Sequence, residues 1–208
     1  AGIGADSRRA LTFGLVFFDA DLDGRLDLLA TNGHVEPEIN RVQASQQYRQ
    51  AVQLFWNCPS KCARPFQLAR NTGDLGIARA GRGAAYADID ADGDLDLILT
   101  QVNGPASLLR NDVATDNHWV RLELKSKSPN PDAIGATVTL LTPNGRQHRA
   151  VMPTRSYLSQ VELPLTFGLG STEEIQQAIV RWPDGSIEEW NDLEVDRQHT
   201  LRQGEGEP

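Results

Sequence analysis

Long hydrophobic runs are missing from this chain. No stretch approaches the roughly 20 apolar residues that a membrane helix needs, which argues against membrane insertion. No cluster of lysines and arginines is present, so nucleic acid is not an expected partner. A Gly-x-Ser-x-Gly nucleophile elbow is lacking too, and Ser156 and Ser159 stand at no telling spacing from His148 or His199. Cysteine is scarce, with only Cys58 and Cys62. That pair leaves three readings open: a local disulfide, two free thiols, or half of a zinc site. A complete zinc site lacks its second Cys pair, and Ala63 after Cys62 rules out a haem-attachment motif. A disulfide closing so small a loop would stabilise the fold by only about 2 kcal/mol. The start lacks Met and shows no signal peptide, so the expectation is a chain truncated or processed from a longer one.

What is present is one loop written twice. Asp19-Ala20-Asp21-Leu22-Asp23-Gly24-Arg25-Leu26-Asp27 and Asp88-Ile89-Asp90-Ala91-Asp92-Gly93-Asp94-Leu95-Asp96 match position for position. Carboxylates at loop positions 1, 3 and 5 can turn toward one centre, and glycine at position 6 permits a sharp bend. Position 7, held by Arg25 and Asp94, can offer its backbone carbonyl, and a carboxylate at 9 closes the cage. So many like charges in nine residues repel one another unless a cation lies among them. The alternative is an acidic, solvated turn, since Asp and Gly are ordinary turn residues. An EF-hand would place Glu at position 12, where Ala30 and Leu99 stand, and the apolar residues after each loop read as strands. Oxygen-only donors favour two Ca2+ ions over zinc or a redox metal, with magnesium the weaker possibility.

The chain has 208 residues, 28 of them acidic and 20 basic. Without the eight proposed ligand aspartates the two signs would balance, so the acidity belongs mostly to the loops. Two Ca2+ ions would bring the formal charge of −8 to −4. The length suits one large or two modest domains, and two are expected. Through residue 116 the pattern is strand, loop, strand, then a strand ending in Asn, at Leu54-Phe55-Trp56-Asn57 and at Leu108-Leu109-Arg110-Asn111, with another short strand from Phe66 to Asn71. Such a repeat resembles propeller blades. The polar, Gly-free stretch from Glu36 to Gln53 predicts one short inserted helix, with Tyr48, Val52 and Leu54 as its apolar side. From 117 to 203, alternating segments and turn signals at Asn144-Gly145 and Pro183-Asp184-Gly185 predict an antiparallel β-sandwich. Residues 204–208 read as a frayed tail. The fold class is therefore all-β.

The motifs also carry a family likeness. Phe13-Gly14, the two aspartate loops, Asn32-Gly33-His34-Val35 and Gly81-Arg82-Gly83-Ala84-Ala85 resemble FG-GAP or VCBS repeats of integrin-like propellers. Asn117-His118-Trp119, Ala133-Ile134-Gly135-Ala136, Ser156-Tyr157-Leu158-Ser159-Gln160, Phe167-Gly168-Leu169-Gly170 and Trp182-Pro183-Asp184-Gly185 resemble, in this order, the ASPIC/UnbV domain of the cartilage acidic protein family. Arg155 departs from the Gly common before Ser-Tyr, and Cys58 to Cys62 interrupts the usual run between blades. The resemblance implies a secreted or surface protein in which calcium-stabilised blades precede a C-terminal β domain. It places the ligands on Asp19, Asp21, Asp23 and Asp27 and on Asp88, Asp90, Asp92 and Asp96, with carbonyls from Arg25 and Asp94. Residues 1–116 supply about two blades where a closed propeller uses four to eight, so further blades are expected from a longer chain, a partner chain or a homo-oligomer, with Leu15 to Phe18 otherwise a sticky edge.

The expected function is a calcium-binding, non-catalytic module of a secreted or surface adhesion or scaffold protein, extracellular or periplasmic, whose partner is a protein or glycan of a cell surface or matrix. A carbohydrate-binding module using Trp56, Trp119, Trp182 and Trp190 is the alternative, although tryptophans at strand positions more often pack cores. Hydrolysis by Glu173-Glu174 or Glu188-Glu189 ranks lower, because such pairs mark solvated faces. His34 and His118, at strand ends, read as hydrogen-bonded structural residues.

Overall fold

Burial alternates along several of the strands, while others are buried almost throughout. In β1 (Thr12–Phe18), Val16 and Phe18 are buried while Leu15 and Phe17 stay 49% and 43% exposed on the opposite side. The computed structural model describes residues 2–58, 62, 64–113, 115–127 and 129–208. β1, β2 (Asp27–Asn32), β3 (Gln53–Asn57) and β4 (Phe66–Leu68) form an antiparallel meander with β1 at one edge. β5 (Gly81–Ala87), β6 (Asp96–Gln101) and β7 (Ser107–Leu109) repeat the first three strands of that pattern as a second sheet. The sheets pack through Val16, Phe18, Leu29, Val52, Ala84, Leu95, Leu97 and Leu99. Their inner strands approach so closely that a Cβ on Gly14 or Gly81 would overlap the facing backbone, which explains the glycines of both motifs.

The other two sheets hold the largest core. β8 (His118–Lys125) lies between β11 (Leu165–Gly170) and β14 (Arg197–Arg202), facing a sheet ordered β10 (Gly145–Ala150), β9 (Thr137–Thr142), β12 (Gln177–Arg181), β13 (Ile187–Trp190). Val120, Leu122, Val138, Leu140, Phe167, Val180 and Trp182 are at most 1% exposed, and each such side chain contributes roughly 1.5–3 kcal/mol through burial. The chain is thus nearly all β, with several antiparallel sheets and, among the described residues, no closed barrel.

Four local expectations need correction. The inserted helix is a single turn, α2 (Ile39–Val42), and Tyr48, Val52 and Leu54 lie outside it. Gln50 instead bridges to Arg79, and Val52 joins the core between the first two sheets, because so short a polar helix has little to hold it. A second short helix, α1 (Gly4–Ser7), precedes β1. The hairpin at 143–145 turns on Pro143 and Asn144, with Gly145 already paired to Thr142. The C-terminal sheets are not wholly antiparallel, since β14 runs parallel to β8. Residues 204–208 are held: Glu207 and Glu189 exchange backbone bonds of 3.0 and 2.8 Å, and the Glu188 carboxylate accepts the N–H groups of Gly204 and Gly206. Among the described residues no helix is long and apolar enough to cross a membrane.

Candidate metal centre

Each aspartate loop is the connection of a hairpin, β1 to β2 and β5 to β6, and its last carboxylate opens the second strand. Local chemistry bends both loops alike. Gly24 and Gly93 have φ of 89° and 100°, and Leu22 and Ala91, at loop position 4, have φ of 58° and 62°. The latter conformation costs a residue with a Cβ roughly 1–3 kcal/mol, so the surroundings must impose it. Position 1 accepts the position 6 N–H in both copies, Gly24 to Asp19 at 2.9 Å and Gly93 to Asp88 at 3.2 Å. Position 9 accepts the position 2 N–H, Ala20 to Asp27 at 3.0 Å and Ile89 to Asp96 at 2.9 Å. The Asn at the end of β3, or two residues past β7, donates its N–H to the same carboxylate, Asn57 to Asp27 at 2.6 Å and Asn111 to Asp96 at 2.8 Å. The strand-ending Asn is therefore part of the repeat for a reason: it anchors the loop's last carboxylate.

Three of the four predicted carboxylates converge in each copy. Oxygens of Asp19, Asp21 and Asp27, and of Asp88, Asp90 and Asp96, lie within 4.8 Å of one another. Asp23 and Asp92 stand outside these groups, accepting the N–H of Arg25 at 2.8 Å and of Asp94 at 3.1 Å. The position 7 side chains differ. Arg25 reaches the carbonyls of Asn57 and Cys58, at 3.0 and 2.8 Å, whereas an oxygen of Asp94 is buried without a partner.

The fit to a cation rests on orphaned oxygens. Asp19 is 1% exposed, and its Oδ1 has no hydrogen-bond partner; Asp88 Oδ1 is in the same condition. A buried carboxylate oxygen left unpaired is costly, and a cation at the convergence point would satisfy it. Without one, four of these carboxyls, Asp19, Asp23, Asp27 and Asp94, sit above the ordinary carboxylate range. Burial, then Asp23, pushes Asp19 up to about 7 against the Gly24 N–H. Burial likewise carries Asp27 to about 6, opposed by the N–H groups of Asn57 and Ala20. Asp94 rises to about 7 through burial and its four neighbouring aspartates, and burial raises Asp23 as well. An all-oxygen donor set suits a hard divalent cation.

Supporting residues that the sequence alone does not reveal surround both loops. Trp56 Nε1 donates to Asp21 Oδ2 at 2.9 Å. Asn111 and Asn117 side chains donate to the carbonyls of Ala20 and Asp21, both at 2.8 Å, and Gly170 N–H to that of Leu22 at 2.9 Å. At the second loop, Arg121 Nε lies 3.3 Å from Asp88 Oδ2, and its two terminal nitrogens grip Glu162 at 2.8 Å each. The "strand ending in Asn" was the one signal available for any of these.

Other candidates are placed elsewhere. Ser159 Oγ donates to the Tyr157 carbonyl, and Ser156 Oγ is buried without a partner. His148 bonds Thr139 and His199 the Glu194 carbonyl, so no described hydrogen bond joins these histidines to either serine. His34 Nδ1 accepts the Glu36 N–H, while His118 Nδ1 meets Asp196 at 2.6 Å and is raised by that bond. Trp182 is 1% exposed with Trp190 edge-on at 6.2 Å, and Trp119 lies on Gly93. Glu173 is exposed near His118, and Glu188 anchors the C-terminal residues. Cys58 and Cys62 form a disulfide with Cα atoms 6.1 Å apart.

Comparison with known proteins places these observations. Residues 126–208 match the family described as ASPIC and UnbV. Cartilage acidic protein 1 of Xenopus tropicalis is 35% identical over 130 residues, covering 60% of this chain and 20% of the relative. The proteins of the same name from Homo sapiens and Mus musculus are each 34% identical over 111 residues, covering 51% of this chain and 16% and 17% of theirs. The chain thus spans no more than about a fifth of the length of the curated relatives it matches.

Proposed function

On the premise that this chain belongs to the ASPIC/UnbV family, we propose that it is a calcium-binding, non-catalytic module of a secreted or surface adhesion or scaffold protein. The observation that carries the reading is the doubled loop: two sets of three converging carboxylates, built by the same hydrogen bonds, each with a buried oxygen that no protein group satisfies. Asp19, Asp21 and Asp27 hold one ion and Asp88, Asp90 and Asp96 the other, with Asp23, Asp92 and the carbonyls of Arg25 and Asp94 completing the donor set. Bound calcium supplies positive charge that lets the buried carboxylates ionise together. The protein's own part is to fix the loops: Asn57 and Asn111 tether them to a third strand, and Gly24 and Gly93 set their bends.

The disulfide fits an oxidising compartment, and the relatives' name, cartilage acidic protein, is in keeping with an extracellular setting. We read the first two sheets, meanders of four and three strands, as propeller blades of the FG-GAP or VCBS kind. Leu15 and Phe17 at one end of this pair and Ile98 and Leu108 on β6 and β7 are 40–59% exposed, as expected of faces that further blades cover. The partner is read as a protein or glycan of a cell surface or matrix, bound by loops on the rigid β framework.

Calorimetric titration of chelator-stripped protein with calcium, magnesium serving as control, tests the reading. Two ions per chain and a higher melting temperature are expected. Asp21→Ala should lose one ion and melt lower in calcium. No binding heat together with an unchanged melt would refute the assignment.

A further inference from the structure

The metal loops are covered from one side by the unit formed by β8 to β14. At the first loop, Asn117 and Gly170 donate to the carbonyls of positions 3 and 4, which orients the segment carrying Asp19, Asp21 and Asp23. Gly168 of β11 lies so close that a Cβ there would overlap Asp19 Oδ2 and the backbone of Leu22. Gln147 of β10 braces the arrangement, donating to the Gly168 carbonyl at 2.6 Å while lying against Gly24. At the second loop, Arg121 of β8 meets Asp88 with both side chains no more than 5% exposed. Glu162, which holds Arg121, also accepts the Asp88 N–H at 3.3 Å. Trp119 covers Gly93, where a Cβ would fall inside the indole ring.

Two loops far apart in sequence thus rest on one strand pair, β8 and β11, and on the residues just before it. Each contact falls on the loop's bend or on its position 1 carboxylate, the parts whose conformation decides whether the donors converge. A loop that can relax its left-handed residue at position 4 loses that convergence.

We infer that the β8–β14 unit forms the second half of both metal sites, so that calcium occupancy and docking of this unit onto the two N-terminal sheets are linked, each strengthening the other by the same factor. This rests on the calcium reading above. Asn117, Gly168 and Gly170 act as positioning residues, and the glycines of Phe167-Gly168-Leu169-Gly170 are there to admit the first loop.

Hydrogen exchange of the full chain, stripped and calcium-saturated, tests the linkage together with calcium titration of Gly168→Ala and Asn117→Ala. Calcium should raise amide protection in residues 117–122 and 165–170 as well as in the loops. Each variant should weaken one of the two binding events by about tenfold, within the usual range of coupling between sites, and leave the other within about twofold. Asn117→Ala removes one hydrogen bond from a part-buried side chain and carries the test if Gly168→Ala does not fold. Two ions binding with protection gained only in the loops, and both variants binding as the parent, would overturn the linkage while leaving the calcium reading intact. A flat titration of the unmodified chain would overturn both.

Discussion

The two aspartate loops share a skeleton and differ in what surrounds it. Both make the bonds from position 6 to 1, from 2 to 9 and from 7 to 5, and each is anchored by an Asn at or just past its third strand. Around the first, no basic side chain among the described residues forms an ion pair with Asp19, Asp21, Asp23 or Asp27, and neutral donors from Trp56, Asn111, Asn117 and Gly170 do the holding. Around the second, a buried Arg121–Glu162 pair reaches Asp88, and Arg110 stands 3.9 Å from Asp90. The repeat settles which donors are present, and the tertiary setting decides how their charge is balanced before any ion arrives.

The largest expected effect breaks this comparison at its most asymmetric point. Arg121→Met leaves Asp88 and Glu162 buried with no cation, which should cost about 3–5 kcal/mol in chelator. A loss of that size should appear as a melting temperature lower by about 10 °C for a chain of this length. In saturating calcium the deficit should shrink, because the ion restores positive charge beside Asp88. Denaturant melts in the two conditions measure the difference. An equal loss in both would mean that Asp88 does not meet the ion.

A second prediction uses protons. Asp19 at about 7 and Asp27 at about 6 both stand above the ordinary carboxyl value. The stripped folded state therefore keeps protons that the unfolded chain releases between about pH 4 and 7, and stability falls as pH rises through that window. The stripped protein should melt highest near its acidic end and lose several degrees by pH 7.5. If the loops take calcium as proposed, the ion should reverse the slope, since protons compete with it and affinity should weaken below pH 7. Asp19→Asn should flatten the stripped profile, as an amide has no proton to lose. A stripped protein whose stability climbs from pH 5 to 7.5 would contradict the buried, cation-seeking state of the first loop.

How much of this was legible follows from where the bonds run. The candidate donors could be read because they are contiguous: spacing pointed Asp19, Asp21, Asp23 and Asp27 at one centre, and three of the four converge. The strands around them could be read as short apolar runs, as from Leu15 to Phe18, without showing which side each residue would take. Asp23 and Asp92, read from the same spacing, stand outside the converging groups and accept the N–H of the residue two further on. Asn57 and Asn111 were visible as a recurring strand end without a role. Nothing local betrays Asn117, 96 residues from its acceptor, or Glu162, 74 residues from Asp88. Asn117 could be noticed only as part of a family motif, Asn117-His118-Trp119, and Glu162 not at all. The parallel pairing of β14 with β8 was equally hidden, since β14 is preceded by no helix of the kind that announces a parallel crossover.

The smallest effect compares one strand position across the two copies. The residue before the anchoring Asn touches the position 3 carboxylate in both, Trp56 at Asp21 and Arg110 at Asp90. Trp56 is part-buried, and its N–H bond to a carboxylate is worth about 1.5–3 kcal/mol. Arg110 is 64% exposed at a longer distance, where solvent screens the pair. Trp56→Phe keeps most of the ring packing and removes the donor, so it should lower the melting temperature by about 3 °C or more. It should also weaken one of the two calcium-binding events. Arg110→Leu should change the melt by no more than about 2 °C. Equal losses from the two variants would mean that charge at position 3, and not a directed hydrogen bond, sets how firmly that carboxylate is held.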